Sequence, residues 1–249
     1  MSQARLCAAV TSALVVAIGV AAGHAASDIT ACGNIAAPGS YRLANNLTAA
    51  GDCLIINGGV PNVTIDLNGH TISGDGTNGS GISGVLIEGL TLRNGTIKGF
   101  DRGVNIFGNT ILIDHMTIIR NVAFGVVTIE DTIVKDSILA GNGAGLWLGA
   151  GGLASGNVVN FNTGTGIQVG EGALVTGNNV SFNGLEGINA QGQSTISNNI
   201  VRRNTGVGIR AVCPSNIMGN TSSGNPGGNL VTSGAGCGKL HNVALPKGK

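Results

Sequence analysis

Charge is the scarcest commodity in this chain: only 10% of its 249 residues are Asp, Glu, Lys or Arg, and the formal net charge is +1. With no basic block, no surface for nucleic acid or an anionic membrane is expected. Aromatic residues are 3% and proline occurs five times. Despite 44 glycines, scarce proline and the lack of a Gly-x-y period exclude collagen. Low-complexity coil is excluded too, because 42% hydrophobic residues, rich in Val and Ile, can bury a core. No helical period runs anywhere after the first 25 residues, and no zinc spacing, phosphate loop or nucleophile elbow occurs.

The N-terminus has the form of a secretory signal. Arg5 supplies the positive region, "LCAAVTSALVVAIGVAA" the apolar region, and Gly23-His24-Ala25 the small residues a signal peptidase needs. Cleavage after Ala25 is expected, giving a secreted or periplasmic protein with a single domain over 26–249 and no membrane anchor. Loss of Cys7 with the signal leaves Cys32, Cys53, Cys213 and Cys237. Four cysteines allow three pairings; two near each end favour the local pairs Cys32–Cys53 and Cys213–Cys237 as end staples.

What the chain does have is a period. Glycines followed by a large aliphatic residue fall at Gly81, Gly103, Gly125, Gly145, Gly166, Gly187 and Gly208, with gaps of 22, 22, 20, 21, 21 and 21. Within one unit, "GIQVGEGALVTGNNVSFNGLE", short alternating runs are separated by Gly and Asn. Strands of three to five residues broken three times per unit are too short for hairpins. They suit a solenoid in which each strand pairs in parallel with its counterpart one coil on. The expected fold is all-β, a single-stranded parallel β-helix of about 21 residues per coil, with caps over 26–60 and 213–249. Asn121, Asn142, Asn162, Asn183, Asn204 and Asn225 share the period and should stack at one corner, where Asn tolerates a left-handed backbone. Phe161 and Phe182 should stack inside.

From "NVTIDLNGHTISG" to "NIMGNTSSGN" the chain resembles the secreted right-handed parallel β-helix proteins. That superfamily includes pectate lyases, mannuronan epimerases and the carbohydrate-binding and sugar-hydrolase repeat group. The resemblance implies a right-handed coil and an extracellular or cell-wall polysaccharide as partner. If the protein is an enzyme, it implies a polysaccharide lyase or C5-epimerase. "LIDHM" is similar to the Trp-Ile-Asp-His segment of pectate lyases, but their Arg-x-Pro segment and calcium-binding aspartates are not recognisable here, nor is the Asp-Pro-His motif of the epimerases.

Two places carry candidate chemistry. At a spacing of 21, Arg93, Asp114 and Lys135 stack as plus, minus, plus, followed by Gly156 and Gly177; beside them Asn94, His115, Asp136 and Asn157 form a second column. Arg93 or Lys135 could neutralise a uronate carboxylate while His115, oriented by Asp136, moves a proton at the adjacent carbon. A charge ladder at a coil corner is the plainer alternative. The second place is a face. Two residues after each anchor glycine the chain reads Ser83, Asn105, Val127, Trp147, Gln168, Asn189 and Arg210, all expected to point outward. Indole stacks on a pyranose and amides bind its hydroxyls, so Asn105, Trp147, Gln168, Asn189 and Arg210 are the candidate substrate-binding residues. No cofactor is required by either place; Ca²⁺ at Asp75 in "SGDGTNGSG" is the one metal weighed, with a single carboxylate to hold it. A lyase or epimerase and a non-enzymatic glycan-binding or surface scaffold both remain open.

Overall fold

The computed structural model describes residues 26–245; the signal expected over 1–25 lies outside the described residues, as do 246–249. The protein is a parallel β-helix with no helix among the described residues. Three ladders run along the rod, each built from one short strand per coil. The first joins Leu54–Ile56, residues 82–84 and 104–106, Phe124–Thr128, Ala144–Leu148 and on to Leu230–Ser233. The second runs from Ser27–Ile29 through Gly39–Leu43, Pro61–Asp66, Thr132–Lys135 and Leu153–Ser155 to Gly238–Leu240. The third runs from Leu47–Thr48 to Val243–Leu245. In two coils the chain passes all three ladders without a break, as Ser80–Lys98 and Arg102–Ile119. The ladder hydrogen bonding thus begins at Ser27 and continues to Leu245.

Alternation decides what is inside. In the first ladder the aliphatic residue after each anchor glycine turns inward, so that Ile82, Val104, Val126, Leu146, Ile167, Ile188 and Ile209 form one fully buried column. Both local disulfides are present, with Cα–Cα distances of 4.6 Å for Cys32–Cys53 and 5.0 Å for Cys213–Cys237.

The asparagine ladder exists, but not as the corner itself. Asn121, Asn142, Asn162, Asn183, Asn204 and Asn225 are all buried. The left-handed residue at each corner is the one before: Arg120, Gly141, Phe161, Phe182, Arg203 and Gly224. That placement turns each amide inward, where Asn183 Nδ2 donates to Asn204 Oδ1 at 2.9 Å and to the Val159 carbonyl at 3.1 Å. The corner position itself faces water, which overturns the expectation for Phe161 and Phe182. Their rings stack at 5.1 Å and 10°, but outside, 60% and 40% exposed.

A second ladder was not expected. Asn157, Asn178, Asn199, Asn220 and Asn242 repeat the same bonding at the corner between the second and third ladders. The coil between Lys135 and Ser155 is one residue short, so Lys135 is followed in register by Ser155 and Thr176, not by Gly156 and Gly177. Gly156 takes the left-handed corner after Asp136, and Asn157 falls one place further, inside.

Candidate functional site

The charged column is longer than three residues. In register the second ladder reads Asp28, Arg42, Asp66, Arg93, Asp114, Lys135, alternating in sign over six strands. Each cation leans on the acid one coil earlier: Arg42 on Asp28 at 2.9 Å, Arg93 on Asp66 at 2.9 Å, Lys135 on Asp114 at 3.5 Å. Exposed pairs of this kind contribute about 0.2–1 kcal/mol each. Both candidate cations for a uronate therefore already have carboxylate partners.

His115 and Asp136 occupy successive left-handed corners, at φ 51° and 49°, where neighbouring coils place Asn94, Gly156 and Gly177. The residue that orients the imidazole is Asp114 rather than Asp136: His115 Nδ1 lies 2.5 Å from Asp114 Oδ1. Strand geometry explains the correction, because Asp114 is the last outward residue before the corner and lies under the ring that follows it. One ligand atom each from Asp114, His115 and Asp136 falls within 4.8 Å of the others, the one such group found among the described residues. With Nδ1 engaged and the side chain 62% exposed, the imidazole presents Nε2 to solvent. Asp75 is committed to a turn: its Oδ1 accepts from the Thr77 hydroxyl at 2.7 Å and the Thr77 amide at 3.0 Å, which hold the carboxyl below the usual carboxylate range.

The outward column of the first ladder has the expected register throughout: Ser83, Asn105, Val127, Trp147, Gln168, Asn189, Arg210. Not all of it is open. Val127 is 7% exposed; it pairs in register with Trp147, whose ring sits 5.5 Å from that of Phe124 and tilted by 43°. Arg210 is held by Glu186 at 3.3 Å. Trp147 is 43% exposed, and Gln168 and Asn189 follow it half-buried.

Sequence reasoning missed the relief of this face. A bulge between Val85 and Ile87 puts Leu86 in a left-handed conformation and leaves it 77% exposed. Between that ridge and the Trp147–Phe124 pair lies a cleft of three hollows, about 520, 400 and 310 Å³, meeting at Phe107. Its walls are mainly apolar; Glu88, Asn109 and Glu130 are polar groups of the first hollow, Arg102, Asn105 and Thr128 of the second, and Asn57 and Ser83 of the third. Asn105 Oδ1 is shielded from solvent and has no hydrogen-bond partner in the protein. The only prior signal was Trp147 itself; the bulge has no turn residue to announce it. The cleft belongs to the first ladder and His115 to the corner between the second and third, so the two candidate places occupy different sides of the coil.

No known family profile matches this sequence, and no curated protein sequence does. Solved structures do share the fold. The periplasmic alginate epimerase AlgG superposes with a TM-score of 0.62 at 14% identity, over 84% of this chain and 70% of that one. The A-module of mannuronan C-5 epimerase AlgE4 from Azotobacter vinelandii gives 0.54 at 15%, over 85% and 86%. An alginate lyase from Paenibacillus sp. str. FPU-7 gives 0.54 at 15%, over 86% and 95%.

Proposed function

We propose that this protein binds an extended polysaccharide in the cleft beside Trp147 and processes it. The observation that carries the reading is the exposed indole at the edge of an apolar cleft with amides along its wall. Successive sugars of an extended chain would present apolar faces to Phe107 and Trp147, and hydroxyls to Asn105 on the cleft wall and to Gln168 and Asn189 on the strands beyond Trp147. The neighbours in fold support a glycan, since each is named for an activity on alginate or mannuronan. Calorimetric titration tests it. Replacing Trp147 by Ala should weaken binding of the best polysaccharide about tenfold or more, and equal affinity in both proteins would remove the cleft from consideration.

A second reading rests on His115. An imidazole held at Nδ1 by Asp114 and open at Nε2 can take the proton beside a uronate carboxylate, giving β-elimination or epimerisation. This requires Lys135 to exchange its ion pair with Asp114 for one with the substrate. Secretion to the periplasm or beyond, and cleavage after Ala25, complete the proposal, because they bring the protein to such chains.

A further inference from the structure

We infer that the corner between the third and first ladders is a second glycan site, which seats a carboxylate-bearing sugar of an acidic polysaccharide over Gly141, between the ring of Phe161 and the guanidinium of Arg120. This place is separate from the cleft, which lies on the face of the first ladder. Along the corner successive coils put Arg120, Gly141, Phe161, Phe182, Arg203 and Gly224, all left-handed. Glycine takes that backbone without strain at Gly141 and Gly224, so the fold does not ask for arginine or phenylalanine there. Nor does the core ask for them, because Phe161 and Phe182 hold their rings in water. The two rings stack at 5.1 Å, and the Arg203 guanidinium lies over Phe182 at 5.5 Å. That arginine closes one end of the stack. At the other end Gly141 has no side chain to cover Phe161, and Arg120 stands one coil beyond it, its Cγ 3.7 Å from where a Cβ on Gly141 would lie. Two coil spacings at about 4.8 Å put the Arg120 and Phe161 backbones roughly 10 Å apart. One sugar ring fits there in van der Waals contact with both neighbours.

Charge selects the ligand. Among the described residues Lys98, Arg120, Arg202, Arg203 and Lys239 are the cations that form no ion pair. Lys239 donates to the Thr232 hydroxyl near the last coil. The other four, all exposed, share this one corner: Lys98 and Arg202 end third-ladder strands in a single register column, and Arg120 and Arg203 follow such strands on the turn. From Lys98 to Arg203 the carboxylates that come between this corner and the first ladder are Asp101 and Glu186. Each is already engaged, by Arg102 at 3.7 Å and Arg210 at 3.3 Å.

One coil spacing per step separates Lys98 from Arg202 by about 24 Å and Arg120 from Arg203 by about 19 Å. Cations so spread suit an extended polyanion that runs along the rod. They are sparse for a nucleic-acid duplex, which carries a charge every 1.7 Å or so. The open ring between them points to sugar, since the apolar face of a pyranose covers Phe161 while its carboxylate meets the planar fork of Arg120. A neutral chain would use the ring and leave the cations idle.

The test titrates the full mature chain, by calorimetry, with galacturonate and mannuronate hexamers, with a xylose hexamer as the neutral chain and with a single-stranded oligonucleotide. A uronate hexamer should bind, and more weakly as salt rises. Arg120→Gly and Phe161→Gly should each weaken it about tenfold and keep the fold, because glycine already serves this corner at Gly141 and Gly224. Lys239→Ala should keep the affinity. The same tenfold losses should appear on a Trp147→Ala background, which separates the corner from the cleft. Equal uronate affinity in Arg120→Gly and Phe161→Gly overturns the inference, as does a xylose hexamer that binds as tightly as the uronates. An oligonucleotide that binds more tightly overturns the glycan, and a dimer in sedimentation that Phe161→Gly dissociates assigns the corner to a second copy instead. Uronate binding that vanishes in Trp147→Ala and survives both corner variants overturns this site and supports the cleft. Unchanged Trp147 emission with every sugar, alongside uronate binding lost in the corner variants, does the reverse.

Discussion

Single residues in this fold do different work according to which side of the backbone they leave. Asn183 accepts from the amide and Nδ2 of Asn162, at 3.1 and 2.9 Å, and donates to Asn204 and Val159. Asn183→Ala leaves several buried partners unmatched, and each unsatisfied buried group costs about 1–3 kcal/mol. Chemical denaturation should show a loss of about 2–4 kcal/mol, whereas the exposed Asn109→Ala should change stability little. His115 allows the opposite separation. At φ 51° an alanine would be strained, but glycine serves the same corner at Gly156 and Gly177. His115→Gly should melt at the wild-type temperature. On the second functional reading it should also abolish the absorbance of unsaturated product from alginate or pectate, and a variant that keeps that product would exclude His115 as the base.

At the scale of one coil, the anchor glycine and the ladder asparagine are a matched pair. A Cβ on Gly166 would lie 2.7 Å from Asn183 Nδ2 and 2.7 Å from the Gly187 carbonyl, and Gly187 stands in the same relation to Asn204. The period visible in the glycines is thus the shadow of the ladder inside. Gly166→Ala should destabilise by about 1–3 kcal/mol through this overpacking, read as a shift of the denaturation midpoint with an unchanged slope. The same pairing shows why some of the coil was legible and some was not. The period of 21 and the outward column at Trp147 follow from spacing, and spacing favours the two local disulfides among three possible pairings. The second asparagine ladder keeps a spacing of 21 from Asn157 to Asn220 and is legible, but spacing alone puts Asn157 in the column of His115 and Asp136, from which the coil after Lys135, one residue short, removes it. Phe161 and Phe182 misled because large aromatic rings at a regular spacing read as core, while a left-handed corner turns them to water. The cleft was illegible for another reason. It depends on a bulge at Leu86, which does not share the repeat's glycine signal.

Over the whole molecule, stability passes from coil to neighbouring coil, so the ends are where a solenoid opens first. The strands Leu230–Ser233, Gly238–Leu240 and Val243–Leu245 carry only half-buried or exposed residues, and Cys213–Cys237 ties them to the coil before. Replacing both cysteines by Ser should remove about 2–4 kcal/mol, and hydrogen exchange should show faster opening confined to the last coils. At the other end of the scale of function, the rod offers a cleft that crosses the strands holding Ile55, Ser83, Asn105, Val127 and Trp147, about 19 Å at one coil spacing per step. An extended chain fits that length better than a single sugar does. Because Trp147 is the only tryptophan in the sequence, its emission reports on this cleft and nothing else. Titrating the protein with neutral and acidic polysaccharides while following that emission tests the central claim most directly. A saturable shift with at least one chain is the predicted result; unchanged emission at concentrations where calorimetry records binding would place the glycan elsewhere on the rod and contradict it.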